Sequence, residues 1–155
     1  IFAKVNAVLP SKLILVGDGP DRYNCERLCR ELNLCDRVKF IGKIRDTDEV
    51  LRIADLFILP SETESFGLAA LEALAVGVPV ISSNTGGIPE VNLNGKTGFL
   101  SNVGDVDDMA KNAIYILEDP NRLKQFRINA VEQAKVFSIE SVVNQYVDLY
   151  TSLLK

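Results

Sequence analysis

Lys12-Leu-Ile-Leu-Val-Gly17-Asp-Gly-Pro20 joins a continuous apolar run to a glycine turn and a proline. Such a run is typical of a strand that is covered on both faces, as the strands of parallel sheets are. Pro20 can occupy the first turn of a helix, and residues 23–34 are rich in helix formers. The stretch therefore predicts a strand, a turn and a helix, which together form the repeating unit of an α/β fold.

The same alternation continues outward from this unit. Further strands are predicted at 38–41, 55–60, 78–81 and 98–100, with intervening helices at about 47–54 and 66–76. The last third is wholly helical, with helices at 106–117, 120–137 and 138–154 after the candidate N-caps Asp105, Asp119 and Ser138. The sequence predicts an α/β fold, a Rossmann-like three-layer α/β/α domain with a parallel sheet and C-terminal helices.

The composition is that of a globular domain, with 47% hydrophobic and 25% charged residues in a chain of 155. The net charge is −4 without a long basic run, so we expect neither nucleic acid nor an anionic membrane as a partner. No apolar stretch approaches the roughly 20 residues that span a bilayer. The chain has no histidine, which excludes Ser-His-Asp hydrolysis and most zinc sites within these residues. Any chemistry must rest on carboxylates, on backbone amides or on residues that another polypeptide segment supplies.

Three cysteines, Cys25, Cys29 and Cys35, lie close together. An odd number without secretory features favours a reducing compartment, so we predict a cytoplasmic protein. Cys25 and Cys29 are four residues apart on a predicted helix and should share one face of it. Three thiols without a fourth ligand make a weak metal site, and small, partly buried helix residues are the simpler interpretation.

The first nine residues have the pattern of the last turns of an amphipathic helix, with no capping residue ahead of them. Natural proteins rarely begin inside a helix. We therefore expect residues 1–155 to form a single C-terminal domain that follows another domain in a longer protein.

Four loops should meet at one edge of the sheet, because ligands of open parallel sheets bind outside the carboxyl ends of the strands. These loops are residues 17–20, 42–44, 61–67 and 84–89. Each of them contains glycine, which lets a ligand approach the backbone. Neither common nucleotide motif is complete, since Arg22 stands where the dinucleotide fingerprint requires Gly or Ala and Gly95-Lys-Thr97 lacks the first glycine of a phosphate loop.

The third loop enters an apolar helix through Glu64-Ser-Phe-Gly-Leu-Ala-Ala-Leu-Glu72. The first amides of a helix lack partners inside it, so those of Leu68 and Ala69 would suit a phosphate. Glu64 and Glu72 would bracket that phosphate and could accept hydrogen bonds from sugar and ribose hydroxyls. By spacing alone, a first-turn carboxylate and a solvated helix residue are the simpler interpretation. The apolar residues around Glu72 argue against it, because they leave little solvated face.

This motif and those around it resemble the retaining glycosyltransferases of family 4, which have the GT-B fold. The resemblance rests on Glu64-x7-Glu72, Ala73-Leu-Ala-x-Gly77-x-Pro79-Val-Ile81 and Gly86-Gly-Ile-Pro-Glu90, together with Val16-Gly-Asp-Gly-Pro20 and Val38-x-Phe-Ile-Gly42. It implies that the chain is one half of a GT-B fold, the C-terminal domain that binds a UDP-sugar donor. The acceptor, a small molecule, would bind to an N-terminal domain outside these residues.

The resemblance also implies roles for individual residues. Glu64 would be the catalytic residue, contacting hydroxyls on the reactive side of the donor sugar, and Glu72 would accept from the ribose hydroxyls. Backbone groups of Phe66 and Gly67 would hold the sugar. Those of Leu68-Ala69 would hold the diphosphate.

The remaining donor-binding residues implied are in the first two loops. Gly17 and Gly19 would let the diphosphate approach, and Gly42, Lys43 and Ile44 would border the uracil. The resemblance implies neither a metal ion nor another cofactor. The family's Arg and Lys, which clamp the diphosphate, would precede residue 1, so we expect these 155 residues to bind nucleotide weakly and not to transfer sugar.

Two other interpretations stay open from the sequence. One is a nucleotide-sugar epimerase or a glycogen-synthase-like enzyme of the same fold. The other is a non-catalytic nucleotide-binding module, whose loops sense a ligand without transforming it. The sequence leaves the oligomeric state open.

Overall fold

Strands and helices alternate through the first two thirds of the chain in the computed structural model, which describes residues 1–154. The elements are α1 (Phe2–Val8), β1 (Leu13–Val16), α2 (Arg22–Glu31), β2 (Val38–Gly42), α3 (Asp48–Arg52), β3 (Phe57–Leu59), α4 (Leu68–Ala75), β4 (Val80–Ser83), α5 (Ile88–Val91), β5 (Gly98–Ser101), α6 (Val106–Leu117), α7 (Pro120–Lys135) and α8 (Ile139–Leu153). Every predicted strand and helix is present, and α5 is an additional short helix that begins at the end of the fourth predicted loop.

All strand pairs are parallel, and the strands are divided between two sheets. β1 pairs with β2, whereas β3, β4 and β5 form the second sheet in that order. The predicted fold class is confirmed, but the single continuous sheet is not, because neither β1 nor β3 pairs on its second edge with any residue of 1–154. In both sheets every pair is parallel, so the carboxyl ends of the strands within each sheet lie at one edge, where open parallel sheets bind their ligands.

The core lies on the two faces of the three-stranded sheet. All four residues of β4 are buried, and neighbouring residues point to opposite faces. Val80 packs with α4 and α7 on one face, and Ile81 packs with α1 and α6 on the other. Burying one such aliphatic side chain contributes about 1.5–3 kcal/mol, so β4 and its four helices form the rigid part of the domain.

The β1 strand differs from its prediction, since only one of its faces is covered. Leu13 and Leu15 are half-buried, while Ile14 and Val16 remain 37% and 44% exposed. The sequence indicated a strand covered on both faces because all four residues are apolar. Hydropathy reports which residues can be buried, whereas burial itself depends on an element that packs against them.

The helix ends were well predicted, because capping is a local interaction. Asp105 accepts a hydrogen bond from the Asp108 amide at 3.0 Å, and Asp119 and Ser138 cap α7 and α8 in the same way. At the chain start, α1 has no side-chain cap, as its sequence indicated. Within the described residues, no helix is both long and apolar enough to cross a membrane.

The cysteines only partly follow their prediction. Cys29 is buried on α2, but Cys25, on the same helix, and Cys35, beyond its end, are exposed. Burial raises the pKa of the Cys29 thiol, and a hydrogen bond with Cys35 raises it further. Among residues 1–154, no group of three or more His, Cys, Asp or Glu side chains is placed to hold a metal ion.

Candidate functional site

The start of α4 is set by Gly67, its N-cap. Gly67 has φ 96° and ψ 43°, a left-handed conformation that costs little for glycine and more for other residues. The first bond of the helix runs from the Leu71 amide to the Gly67 carbonyl at 3.0 Å. The amides of Leu68 and Ala69 therefore have no acceptor inside the helix, and both residues are exposed. Such a helix start favours an anionic ligand.

Glu64 and Glu72 lie on either side of this helix start. Glu64 is half-buried and accepts a hydrogen bond from the Ser65 amide at 3.2 Å. Glu72 is exposed and accepts one from the Thr47 hydroxyl at 3.3 Å. The ion pairs among residues 1–154 include neither carboxylate. Both side chains therefore keep acceptor positions for hydroxyl groups of a ligand.

The surface of α4 around Glu72 is exposed to solvent, whereas its apolar sequence indicated little solvated face. The residues Leu68, Ala69, Glu72 and Ala75 form an exposed face of α4. They are spaced so that they follow one side of the helix, while Ala70, Ala73 and Leu74 are buried on the other. Glu72 therefore does not need a partner because of burial. Its bond with Thr47 is a contact between α4 and the start of α3, not a requirement of the core.

Hydrogen bonds join the four predicted loops in two pairs. The first two loops meet where the Gly17 amide donates to the Gly42 carbonyl at 2.8 Å. The third and fourth meet where the Gly87 amide donates to the Ser65 carbonyl at 3.2 Å. The bond between Thr47 and Glu72 joins the start of α3 to α4, outside the four loops. The predicted site residues thus fall into two connected pairs of loops, each at the carboxyl ends of one sheet's strands.

The first two loops leave room above their backbone. A methyl group on Gly17 or Gly19 would meet no atom within 4 Å, so a ligand could approach both residues. Lys43 is exposed and Ile44 is half-buried beside it. Arg22, which breaks the dinucleotide fingerprint, lies close to Gly42, with its guanidinium 5.8 Å from the centre of the Phe40 ring and its Nε 2.9 Å from Glu26.

Sequence reasoning missed two groups of residues at this site. Thr47 stands at the N-cap of α3, but it makes no side-chain cap bond and instead contacts Glu72. Thr85, Gly86 and Gly87 contact the loop that carries Glu64, and the sequence pointed to them through the glycine pair without assigning a role. Long-range contacts of this kind have no local sequence signal.

Fold and site together define an α/β domain of parallel sheets in which a helix start with unpaired amides is flanked in sequence by Glu64 and Glu72. In sequence, residues 2–133 match the family described as "Glycosyl transferases group 1". The chain belongs to this family of glycosyltransferases.

One relative matches this chain over nearly its whole length. N-acetyl-alpha-D-glucosaminyl L-malate synthase of Bacillus anthracis is 43% identical over 155 residues, which are 99% of this chain and 41% of that protein. Within family 4, the sequence motifs also point to a resemblance to this enzyme. The chain spans about two fifths of the relative's length, so the activity, substrates and partners of the whole protein are proposals.

Solved structures give the same fold. Sucrose-phosphate synthase from Thermosynechococcus elongatus superposes with a TM-score of 0.85 at 33% identity, over 99% of this chain and 41% of that one. The Anabaena protein HepE, solved in complex with UDP, superposes with a TM-score of 0.87 at 27% identity, over 97% of this chain and 43% of its own. The prediction of one half of a GT-B fold is confirmed.

Proposed function

We propose that this chain is the donor-binding domain of a retaining glycosyltransferase that transfers a sugar from a UDP-sugar to a small acceptor. The observation that carries the proposal is the start of α4, where the amides of two exposed residues have no helical acceptors and lie between Glu64 and Glu72. Amides at a helix start suit a diphosphate, and carboxylates suit the hydroxyls of a sugar and a ribose. A nucleotide-sugar carries all three groups.

The proposed donor is UDP-GlcNAc, and the proposed acceptor is L-malate, as in bacillithiol biosynthesis. The support for both is the 43% identity to a protein named N-acetyl-alpha-D-glucosaminyl L-malate synthase. A uridine nucleotide is further supported by the structural neighbour HepE, which was solved with UDP.

A role is proposed for each residue at the start of α4. Glu64 contacts the reactive side of the donor sugar as the catalytic residue, and Glu72 accepts from the ribose hydroxyls. The backbone of Phe66-Gly67 holds the sugar, while the amides of Leu68-Ala69 bind the diphosphate. Their fixed dipoles would stabilise the charge that develops on the leaving group.

The first two loops would complete the donor site. Gly17 and Gly19 leave space for the diphosphate, and the residues 42–44 border the uracil. We infer that the acceptor attacks from the face on which UDP leaves, with the leaving phosphate as base, because the motif supplies Glu64 but no second nucleophilic carboxylate. No metal ion has a role in this proposal.

The rest of the protein is proposed from its relatives' length. Residues 1–155 would form the C-terminal domain, and an N-terminal domain would bind the acceptor. We place the enzyme in the cytoplasm, where its three free thiols stay reduced.

Calorimetric titration of the chain with UDP, UDP-GlcNAc, ADP-glucose and NAD tests the proposal. We expect the two uridine ligands to bind and the other two not to bind. Glu72→Gln should weaken UDP binding about tenfold or more, since hydrogen bonds to charged groups contribute about 1.5–3 kcal/mol. Glu140→Gln is the matched control, because Glu140 is an exposed helical glutamate on α8; it should leave the affinity unchanged.

Other outcomes point to other functions. Binding of NAD would indicate a dinucleotide module, and preferential binding of ADP-glucose would indicate a glycogen-synthase-like enzyme. If UDP bound equally well to the wild type and to Glu72→Gln, the ribose contact would be refuted. If no ligand bound, the claim that these residues hold the donor would fail.

A further inference from the structure

The turn formed by Thr85, Gly86 and Gly87 lies directly against the loop that carries Glu64. The Gly87 amide donates to the Ser65 carbonyl at 3.2 Å, and the Thr85 hydroxyl donates to the Glu62 carbonyl at 3.3 Å. Between these two bonds, the Cα of Gly86 faces the main chain of Glu64. Three successive residues of one loop thus contact Glu62, Glu64 and Ser65 of the other.

The contact at Gly86 leaves no space for a side chain. A methyl group there would overlap the Glu64 carbonyl oxygen and would lie 2.8 Å from the carbonyl carbon. Both atoms belong to the backbone, so the overlap could not be relieved by a rotamer change. Gly86 also has φ 54°, in the left-handed region. Any larger residue would therefore displace the Glu64 main chain, the turn itself, or both.

The effect of the steric clash can be tested separately from the effect of the left-handed backbone, because Gly95 has the backbone conformation without the clash. Gly95 has φ 72° in a turn, but a methyl group on it would meet no atom within 4 Å. Substitution of Gly95 would cause the same kind of backbone strain without a clash. The tight contact at Gly86 is consequently a feature of this pair of loops, not of glycine turns in general.

We propose that Gly86 is a positioning residue for Glu64 and that it acts by fixing the main chain from which the Glu64 carboxylate extends. This inference rests on the proposed function, in which Glu64 contacts the donor sugar. Displacement of a positioned group by about 1 Å can cost about a hundredfold in rate. Gly86 would thereby determine how much more tightly a UDP-sugar binds than UDP alone.

Loss of this contact should weaken binding of the sugar and leave binding of the nucleotide unchanged. The start of α4 has a contact of its own outside the turn, since the Phe66 ring packs on Phe137 with centroids 5.7 Å apart. Glu72 is held from the other side by Thr47. A shift of Glu64 therefore leaves the groups proposed for the diphosphate and ribose in place.

The experiment compares Gly86→Ala with Gly95→Ala in the full chain, with UDP and UDP-GlcNAc as calorimetric probes. We expect Gly86→Ala to weaken UDP-GlcNAc binding about tenfold or more while UDP affinity changes less than about threefold, and Gly95→Ala to change neither. Equal losses for the two ligands in Gly86→Ala would mean general damage and would overturn the proposal, as would unchanged affinities.

A double-mutant cycle with Glu64→Gln adds a readout that a merely structural role would not alter. If Gly86 acts through Glu64, Gly86→Ala should cause little further loss of UDP-GlcNAc affinity once Glu64→Gln is already present. Additive losses would contradict the proposal. If Gly86→Ala fails to fold, Thr85→Val removes only the hydroxyl bond to Glu62 and should reduce the preference for UDP-GlcNAc in the same direction; an unchanged preference would refute the proposal.

Failure of the proposed function would be recognised separately. If the wild type binds neither UDP nor UDP-GlcNAc, the donor site is wrong. The loop contact is then tested by the amide resonances of residues 64–66, which should shift in Gly86→Ala and stay in place in Gly95→Ala. Unchanged resonances in Gly86→Ala would overturn the contact itself.

Discussion

Gly67 separates the part of the site loop that faces the core from the part that faces solvent. Before it, the Phe66 ring packs edge-on against Phe137; after it, Leu68 and Ala69 are exposed at the start of α4. The left-handed backbone of Gly67 permits this change of direction within one residue. A single glycine thus links the packing of the core to the presentation of the helix amides.

Gly67→Ala should lower the free energy of unfolding by about 1–2 kcal/mol, the usual cost of a left-handed conformation in a residue with a Cβ atom. A close contact adds to this cost, since the new methyl group would lie 3.3 Å from Ile88 Cγ1. Urea unfolding measures the difference. The control is Gly19→Ala, whose methyl group meets nothing within 4 Å; equal stability of the two variants would contradict this explanation.

Individual site residues were predictable to different degrees. Glu64 and Glu72 could be found because they belong to one short segment with a recognisable spacing. Thr47 could not be assigned to Glu72, because the two residues are 25 apart in sequence and meet only through the packing of α3 against α4. The direct contact between Gly86 and Glu64 is equally non-local.

At the scale of elements, sequence patterns within one segment predicted the strands and helices correctly. The pairing of separate segments was predicted less well. The strands, helices and three N-caps follow from apolar periodicity and from side chains that reach the next turn. The division into two sheets does not, since register and partner choice depend on contacts across the whole fold. For the same reason, the exposure of β1 could not be foreseen from its apolar residues.

The ion pair of Lys4 and Asp107 links α1 to α6, with Nζ and Oδ1 2.7 Å apart. The hydrogen bond and charge of Lys4 hold the pKa of Asp107 below its ordinary value. Since this folded-state pKa lies below the unfolded one, the contribution to stability is present above the unfolded pKa and is lost as pH falls through the folded pKa. Both side chains are largely exposed, so the contribution is small.

Lys4→Gln should therefore raise the pKa of Asp107 toward the ordinary carboxyl value, because the charged partner is removed. The carboxyl resonance of Asp107, followed by NMR through a pH titration, measures the shift. Lys39→Gln provides the control, as Lys39 is an exposed lysine of β2. An Asp107 pKa that does not respond to Lys4→Gln would show that the pair does not form in solution.

At the scale of the whole molecule, the family could be predicted from the order of several motifs, and the comparisons confirm it. The donor sugar could not, because the proposed sugar contacts at Phe66-Gly67 are made by the backbone and carry no side-chain chemistry. The acceptor could not be predicted either, since this chain spans 41% of the related N-acetyl-alpha-D-glucosaminyl L-malate synthase.

We expect the isolated chain not to transfer sugar. The proposed acceptor domain is outside these residues, and the amides at the start of α4 alone would stabilise little of the leaving-group charge. The measurement is release of UDP from UDP-GlcNAc in the presence of L-malate, with buffer as the blank. Release above the blank that is lost in Glu64→Gln would contradict this expectation.

The central claim is that a nucleotide-sugar binds at the start of α4, and an NMR titration of the ¹⁵N-labelled chain with UDP tests it most directly. The account predicts the largest amide shifts at Leu68 and Ala69, with smaller ones in residues 17–19 and 42–44. Amides of α6 to α8 should not respond. Largest shifts elsewhere in the chain, or none at Leu68 and Ala69 at saturating UDP, would contradict it.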